Sequence, residues 1–147
     1  MLALAARAAL WNLDSPTAAQ ALEGIEEIGL HGRAIENSRT TIRAGLAALA
    51  GRQSDALALY HDALETWRAL GLRWDEALTA IDMAIVLPPA TPEVVGAAGT
   101  ARQILTELGA TVLLDRLEAA MGRDASSGAE HPPDRQRAGG AVGSQAR

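Results

Sequence analysis

Three similar marks punctuate this 147-residue chain: Ile28-Gly29-Leu30, Leu70-Gly71-Leu72 and Leu108-Gly109-Ala110. Each ends one helical pattern and begins another, and their glycines lie 42 and 38 residues apart. A period near 40 accommodates two helices and two short turns. A single hairpin of this kind leaves an apolar face in water, so stacking on its neighbours is what makes it stable. The repeat therefore predicts an all-α chain of stacked, antiparallel helical hairpins.

Composition agrees with helix and argues against sheet. Apolar residues make up 48% of the chain, but phenylalanine is absent and only three Trp and one Tyr occur. Alanine and leucine dominate, whereas strands need β-branched and aromatic side chains. Apolar period and turn residues place about seven helices. The first covers about Leu2–Trp11. The second follows Asp14-Ser15-Pro16, with Ser15 as expected cap, and runs to Ile28. The third, about Gly32–Ala50, aligns Ile35, Arg39, Ile42, Leu46 and Leu49. The fourth follows Ser54 as expected cap and aligns Ala56, Tyr60, Ala63, Leu64, Trp67 and Leu70 at core-facing spacing. The fifth carries Trp74, Ala77, Leu78, Ile81 and Ile85 and stops at Pro88-Pro89. The sixth opens on Thr91-Pro92-Glu93 and continues to Leu108. The seventh covers about Val112–Met121. Trp67 and Trp74, on the apolar stripes either side of Gly71, are both expected in the core.

These boundaries divide the chain into a helical domain over residues 1–122 and a tail over residues 123–147. The tail reads Ser-Ser-Gly, Pro-Pro and Gly-Gly with few large apolar side chains. It cannot bury enough surface to offset its ordering entropy and is expected to be disordered.

The run Ala44…Gly51-Arg52…Ala56…Tyr60…Ala63 resembles the second half of a tetratricopeptide (TPR) repeat. That resemblance implies a TPR-like right-handed solenoid. Ala56 and Ala63 would let two helices approach, and Tyr60 would fill the gap between hairpins. The period here exceeds the usual length of about 34 residues, and the Trp and Leu-Gly of the first TPR helix are missing, which marks a divergent member. More narrowly, the stretch from Ala44 to Met121 is similar to the C-terminal helical arm of bacterial multidomain regulators. In those proteins such an arm accompanies an adenylate/guanylate cyclase domain, or a LuxR-type DNA-binding domain, and a P-loop ATPase module. Gly51-Arg52, Tyr60, Trp67-Arg68, Trp74-Asp75-Glu76-Ala77-Leu78 and Thr91-Pro92-Glu93 carry that likeness.

Several chemistries find no residues. All thirteen positive residues are arginine, so the lysine of a P-loop is missing. Cysteine is absent, which removes disulfides, thiolate metal sites and thiol nucleophiles and fits a reducing cytoplasm. His31, His61 and His131 are isolated from one another. Residues 1–122 carry nine Arg against fifteen Asp and Glu, which disfavours nucleic acid as a partner. No uninterrupted apolar run reaches the roughly 18 residues of a membrane span. The expected role is non-catalytic, without cofactor or metal: a protein-interaction or regulatory module, with the LuxR-type arm as the alternative parent.

In TPR proteins the first helices of the hairpins line a groove. By that resemblance Ser38, Thr41, Gly45 and Ala48 of helix three would face it, together with Thr79 and Asp82 of helix five. Arg39 and Arg43 would offer charge to an acidic peptide. Asp75 and Glu76 are read as N-terminal charge for helix five, and Asp82 as solvated or groove-lining. The expected partner is a protein, a peptide or an upstream domain of a parent chain. Leu2, Leu4 and Leu10 on helix one are expected to meet a further hairpin upstream, or to support self-association.

Overall fold

The computed structural model describes residues 1–123, and the tail expectation over 124–147 lies outside the described residues. Seven helices follow in order: α1 (Leu2–Trp11), α2 (Ser15–Glu27), α3 (Arg33–Leu49), α4 (Gln53–Leu70), α5 (Arg73–Val86), α6 (Pro92–Glu107) and α7 (Thr111–Met121). Among the described residues there is no strand. No helix among them is long and apolar enough to cross a membrane.

The helix ends explain the repeat. Gly29, Gly71 and Gly109 adopt nearly the same left-handed backbone, with φ of 66°, 69° and 66°. A side chain is disfavoured there, and glycine is not. At the ends of α4 and α6 the chain closes with paired backbone bonds. Gly71 N–H donates to Arg68 O and Leu72 N–H to Trp67 O; Gly109 N–H donates to Thr106 O and Ala110 N–H to Leu105 O. The same pair forms at Gly51 and, with a leucine in the left-handed position (φ 58°), at Leu13. The end of α2 differs. Gly29 N–H donates to Glu26 O, but Ile25 O receives its bond from the guanidinium of Arg39 at 3.1 Å instead of from the Leu30 amide.

Two expected caps are replaced. The Asp14 side chain accepts from Thr17 N–H at 3.1 Å, so Asp14 rather than Ser15 caps α2. Ser54 lies inside α4, whose preceding residue Arg52 supplies no side-chain cap.

Consecutive helices pair as α1 with α2, α3 with α4 and α5 with α6, and α7 packs on α5 and α6. The odd-numbered helices also meet one another: α1 with α3 and α5, α3 with α5, and α5 with α7. α5 is thus central, and every residue from Glu76 to Ala84 is buried. One large apolar cluster runs from Ala44 and Ala47 of α3 through Tyr60, Ile81, Met83 and Leu105 to Leu117 of α7. Two small clusters attach α1 and α2 to α3: Ala6, Ala21, Ile25 and Ile42 form one, and Ala9, Leu10 and Ala18 the other.

Of the two tryptophans bracketing Gly71, Trp67 is in the core at 2% exposure and Trp74 is not, at 46%. Trp67 lies late in α4, where α5 covers it, and its Nε1 donates to Thr79 Oγ1 at 3.0 Å. Trp74 occupies the first turn of α5, ahead of the stretch that its neighbours enclose. Leu108, expected to end the sixth helix, is exposed just before the Gly109 turn.

Candidate functional site

The most unusual group in the molecule is a carboxylate at its centre. Asp82 follows Ile81 on α5, the helix enclosed on all sides, and is 0% exposed. It is therefore not solvated. A charge in such a place requires charged and hydrogen-bonding partners. Both come from α1. Arg7 Nε lies 3.0 Å from each carboxylate oxygen, and Trp11 Nε1 donates to Oδ1 at 2.6 Å. Arg7 and Trp11 are four residues apart, one helical turn, so a single face of α1 presents both. The Arg116 guanidinium of α7 sits 4.6 Å from the centre of the Trp11 ring, within cation–π range. One carboxylate thus joins three odd-numbered helices.

Burial pushes the Asp82 carboxyl above the ordinary carboxylate range, and the Arg7 charge with the Trp11 and Arg7 hydrogen bonds pulls only part of the way back. Tyr60 of α4 is equally buried, and its hydroxyl has no hydrogen-bond partner among the described residues. Burial first, and the negative charge of Asp82 second, push the Tyr60 phenol well above its ordinary value.

Ser38, Thr41 and Asp82 come together. With Ala3, Arg7, Leu10 and Ile42 they enclose a space of about 20 Å³, room for one water molecule. Thr41 is buried and donates to Asn37 O at 2.9 Å, and Ser38 donates to Ala34 O at 3.0 Å. Gly45 faces the same seam: a Cβ built there would sit 2.6 Å from Leu10 Cδ1. Helix α1 therefore lies over this part of α3 and α5. Thr79 is apart from them, accepting from Trp67 and donating to Asp75 O at 2.8 Å.

Arg39 is buried and directed inward. It donates to Ile25 O and, at 2.9 Å, to Leu30 O, and it pairs with Glu36. Arg43 is exposed and pairs with Glu26 at 2.5 Å. Glu76, in the first turn of α5, is buried against Arg68 at 2.5 Å, while Asp75 is half-buried. Sequence reasoning missed Arg7, Trp11 and the polar end of Tyr60. A signal for the first two was present: a cation and an indole one turn apart on an otherwise apolar helix.

Comparison with protein-family models, curated proteins and solved structures returns no significant match. Among the described residues no group of three or more His, Cys, Asp or Glu converges as a metal site. The Asp82 carboxylate is bonded by Arg7 and Trp11, and the space beside it is too small for a substrate. A larger apolar cleft of about 290 Å³ lies between α1, α2 and α3, lined by Met1, Leu2, Ile25, Ile28, Leu30 and Ile35.

Proposed function

We propose that this chain is a non-catalytic, TPR-like helical-repeat module that binds protein or peptide, of the kind that forms the arm of a bacterial cyclase–ATPase regulator. The observation that carries the reading is the recurrence of one turn. Three glycines, each ending an even-numbered helix, hold the same left-handed conformation, and the helices on either side of each are packed on one another. A chain built by repeating one hairpin offers an extended surface rather than a single cleft. The setting of Asp82 supports a non-catalytic role, since Arg7 and Trp11 hold the carboxylate in a buried place beside room for no more than one water molecule.

The LuxR-type arm is the second reading, and the resemblance over residues 44–121 favours the two parents alike. Genomic sequence immediately upstream separates them: a frame encoding a cyclase sheet supports the first, and a helix-turn-helix supports the second. Measurable turnover of ATP or GTP by the purified chain would overturn the non-catalytic assignment.

A further inference from the structure

The contacts of α1 have the form of a bound ligand. It is an alanine-rich helix that buries only Ala6, Ala9 and Leu10, while Leu4 remains exposed. Its specific contacts with the rest of the molecule form a short row: Arg7 and Trp11 on Asp82, Leu10 over Gly45, and Trp11 beneath Arg116. The residues Arg7, Leu10 and Trp11 fall at i, i+3 and i+4, the spacing by which one helix face anchors in a groove.

The α1–α2 hairpin is also set off from the rest of the fold. Apart from Trp11, its apolar contacts belong to the two small clusters and not to the large one spanning α3–α7. Among the four left-handed glycine turns that end helices in the described residues, its connection to α3 is the one that lacks the second closing backbone bond. Residues 26–34 are all exposed, and Gly29 and Gly32 both have positive φ, 66° and 139°, with nothing within 4 Å of a Cβ built on either. Arg39 holds this segment at Ile25 and Leu30, as a pin holds a pivot.

We propose that the α1–α2 hairpin is a detachable strap, hinged at Gly29–Gly32 and latched on Asp82, and that the α3/α5 face beneath it receives a partner helix carrying Arg and Trp one turn apart. Charge complementarity commits the partner. Asp82 is the anchor on that face, and a cation with an indole donor one turn later is what holds it in the closed state. Opening the strap frees Asp82 together with the surface around Thr41, Ile42 and Gly45. The partner half of this inference rests on the interaction-module reading; the strap half does not.

Amide hydrogen exchange on the full chain tests the strap. Amides of α1 and α2 should exchange about 100-fold faster than those of α5 and α6, since a satellite unit opens below the free energy of global unfolding. Asp82→Asn should accelerate the first set, and the second by no more than the same factor, so that α1 and α2 stay the faster-exchanging unit. Equal protection from α1 to α6 would overturn the strap. A labelled, end-capped peptide of residues 1–14 tests the face. It should bind the full-length Arg7→Ala/Trp11→Ala chain saturably, and adding Asp82→Ala should weaken that binding at least about tenfold. Absence of binding while α3–α7 remain protected, or binding indifferent to Asp82, would overturn the docking face. Neither outcome touches the non-catalytic assignment, which nucleotide turnover decides. If the unlatched variant fails to fold, exchange in the unaltered chain still decides the strap.

Discussion

The indole nitrogen of Trp11 and the carboxylate of Asp82, 71 residues apart in sequence, lie 2.6 Å apart in the folded chain. With Arg7 one turn earlier on the same face of α1, this contact fixes the first hairpin against the centre of the molecule. A buried ion pair gains Coulomb energy but loses hydration, and replacing a whole set with apolar residues is often neutral. Removing one member is different, because it leaves the other charged and dry. Asp82→Ala should therefore destabilise by about 3 kcal/mol, and the triple change Arg7→Met, Trp11→Phe, Asp82→Leu should recover most of that loss. Urea unfolding followed by circular dichroism measures both, and a triple variant no better than the single would contradict this account.

The same carboxylate sets a pH dependence. Burial holds Asp82 above the ordinary carboxylate range in the folded chain, so the native state binds its proton more tightly than the unfolded chain does. Its contribution is fully present below the unfolded value and is lost as pH rises through the raised folded value. Glu107 and Glu118 shift downward, chiefly through hydrogen bonds from Arg73 and Arg102, and act in the opposite sense. They lie at the surface, where such pairs contribute little. Stability relative to Asp82→Asn should accordingly fall as pH rises from the unfolded value, about 4, towards the raised folded value. A relative gain over that interval would mean that the Arg7 charge outweighs burial.

Gly45 and Leu10 should be strongly coupled. Alanine is the better helix former by about 1 kcal/mol. Here its Cβ would lie 2.6 and 2.8 Å from the two methyl carbons of Leu10, a side chain that is itself buried. Gly45→Ala should cost about 1–2 kcal/mol in the unaltered chain and become neutral or stabilising in a Leu10→Ala background. A double-mutant cycle reads the coupling directly; additive effects would show that the two residues do not touch.

Tyr60→Phe removes a buried hydroxyl that has no hydrogen-bond partner, while keeping the ring that fills the core. Unsatisfied polar groups cost roughly 1–3 kcal/mol when buried. The variant should be as stable as the parent or more stable by about 1 kcal/mol, measured as a thermal midpoint. A loss above that size would reveal a partner for the hydroxyl.

The tryptophans should separate cleanly. Trp67→Ala should destabilise by about 3–5 kcal/mol, and Trp74→Ala, at an exposed first-turn position, by less than about 0.5 kcal/mol. Emission should differ in the same sense, with Trp74 quenched by acrylamide and Trp67 protected. Equal quenching would place both in one environment.

Local chemistry made most of the helical framework readable. Gly29, Gly71 and Gly109 end helices because their backbones are left-handed, and that preference belongs to the residue and not to its surroundings. The stripe Ala56, Tyr60, Ala63, Leu64, Trp67 follows from the helical period, and all five are buried. What sequence could not decide is which faces meet across long separations. Arg7 carries no reading from the sequence, and Asp82 reads as solvated or groove-lining. Each acquires its meaning only when α1 crosses α5, because a buried charge needs an opposite charge or hydrogen-bond partners, and for Asp82 these come from a distant part of the chain. Trp74 shows the converse: periodicity placed it on a stripe, but its neighbours end before they reach it. Sequence by itself determined where the helices begin and end. The choice of α1 to lie on the face around Asp82 belongs to the tertiary structure, since only there does a carboxylate 75 residues away offset the desolvation of Arg7.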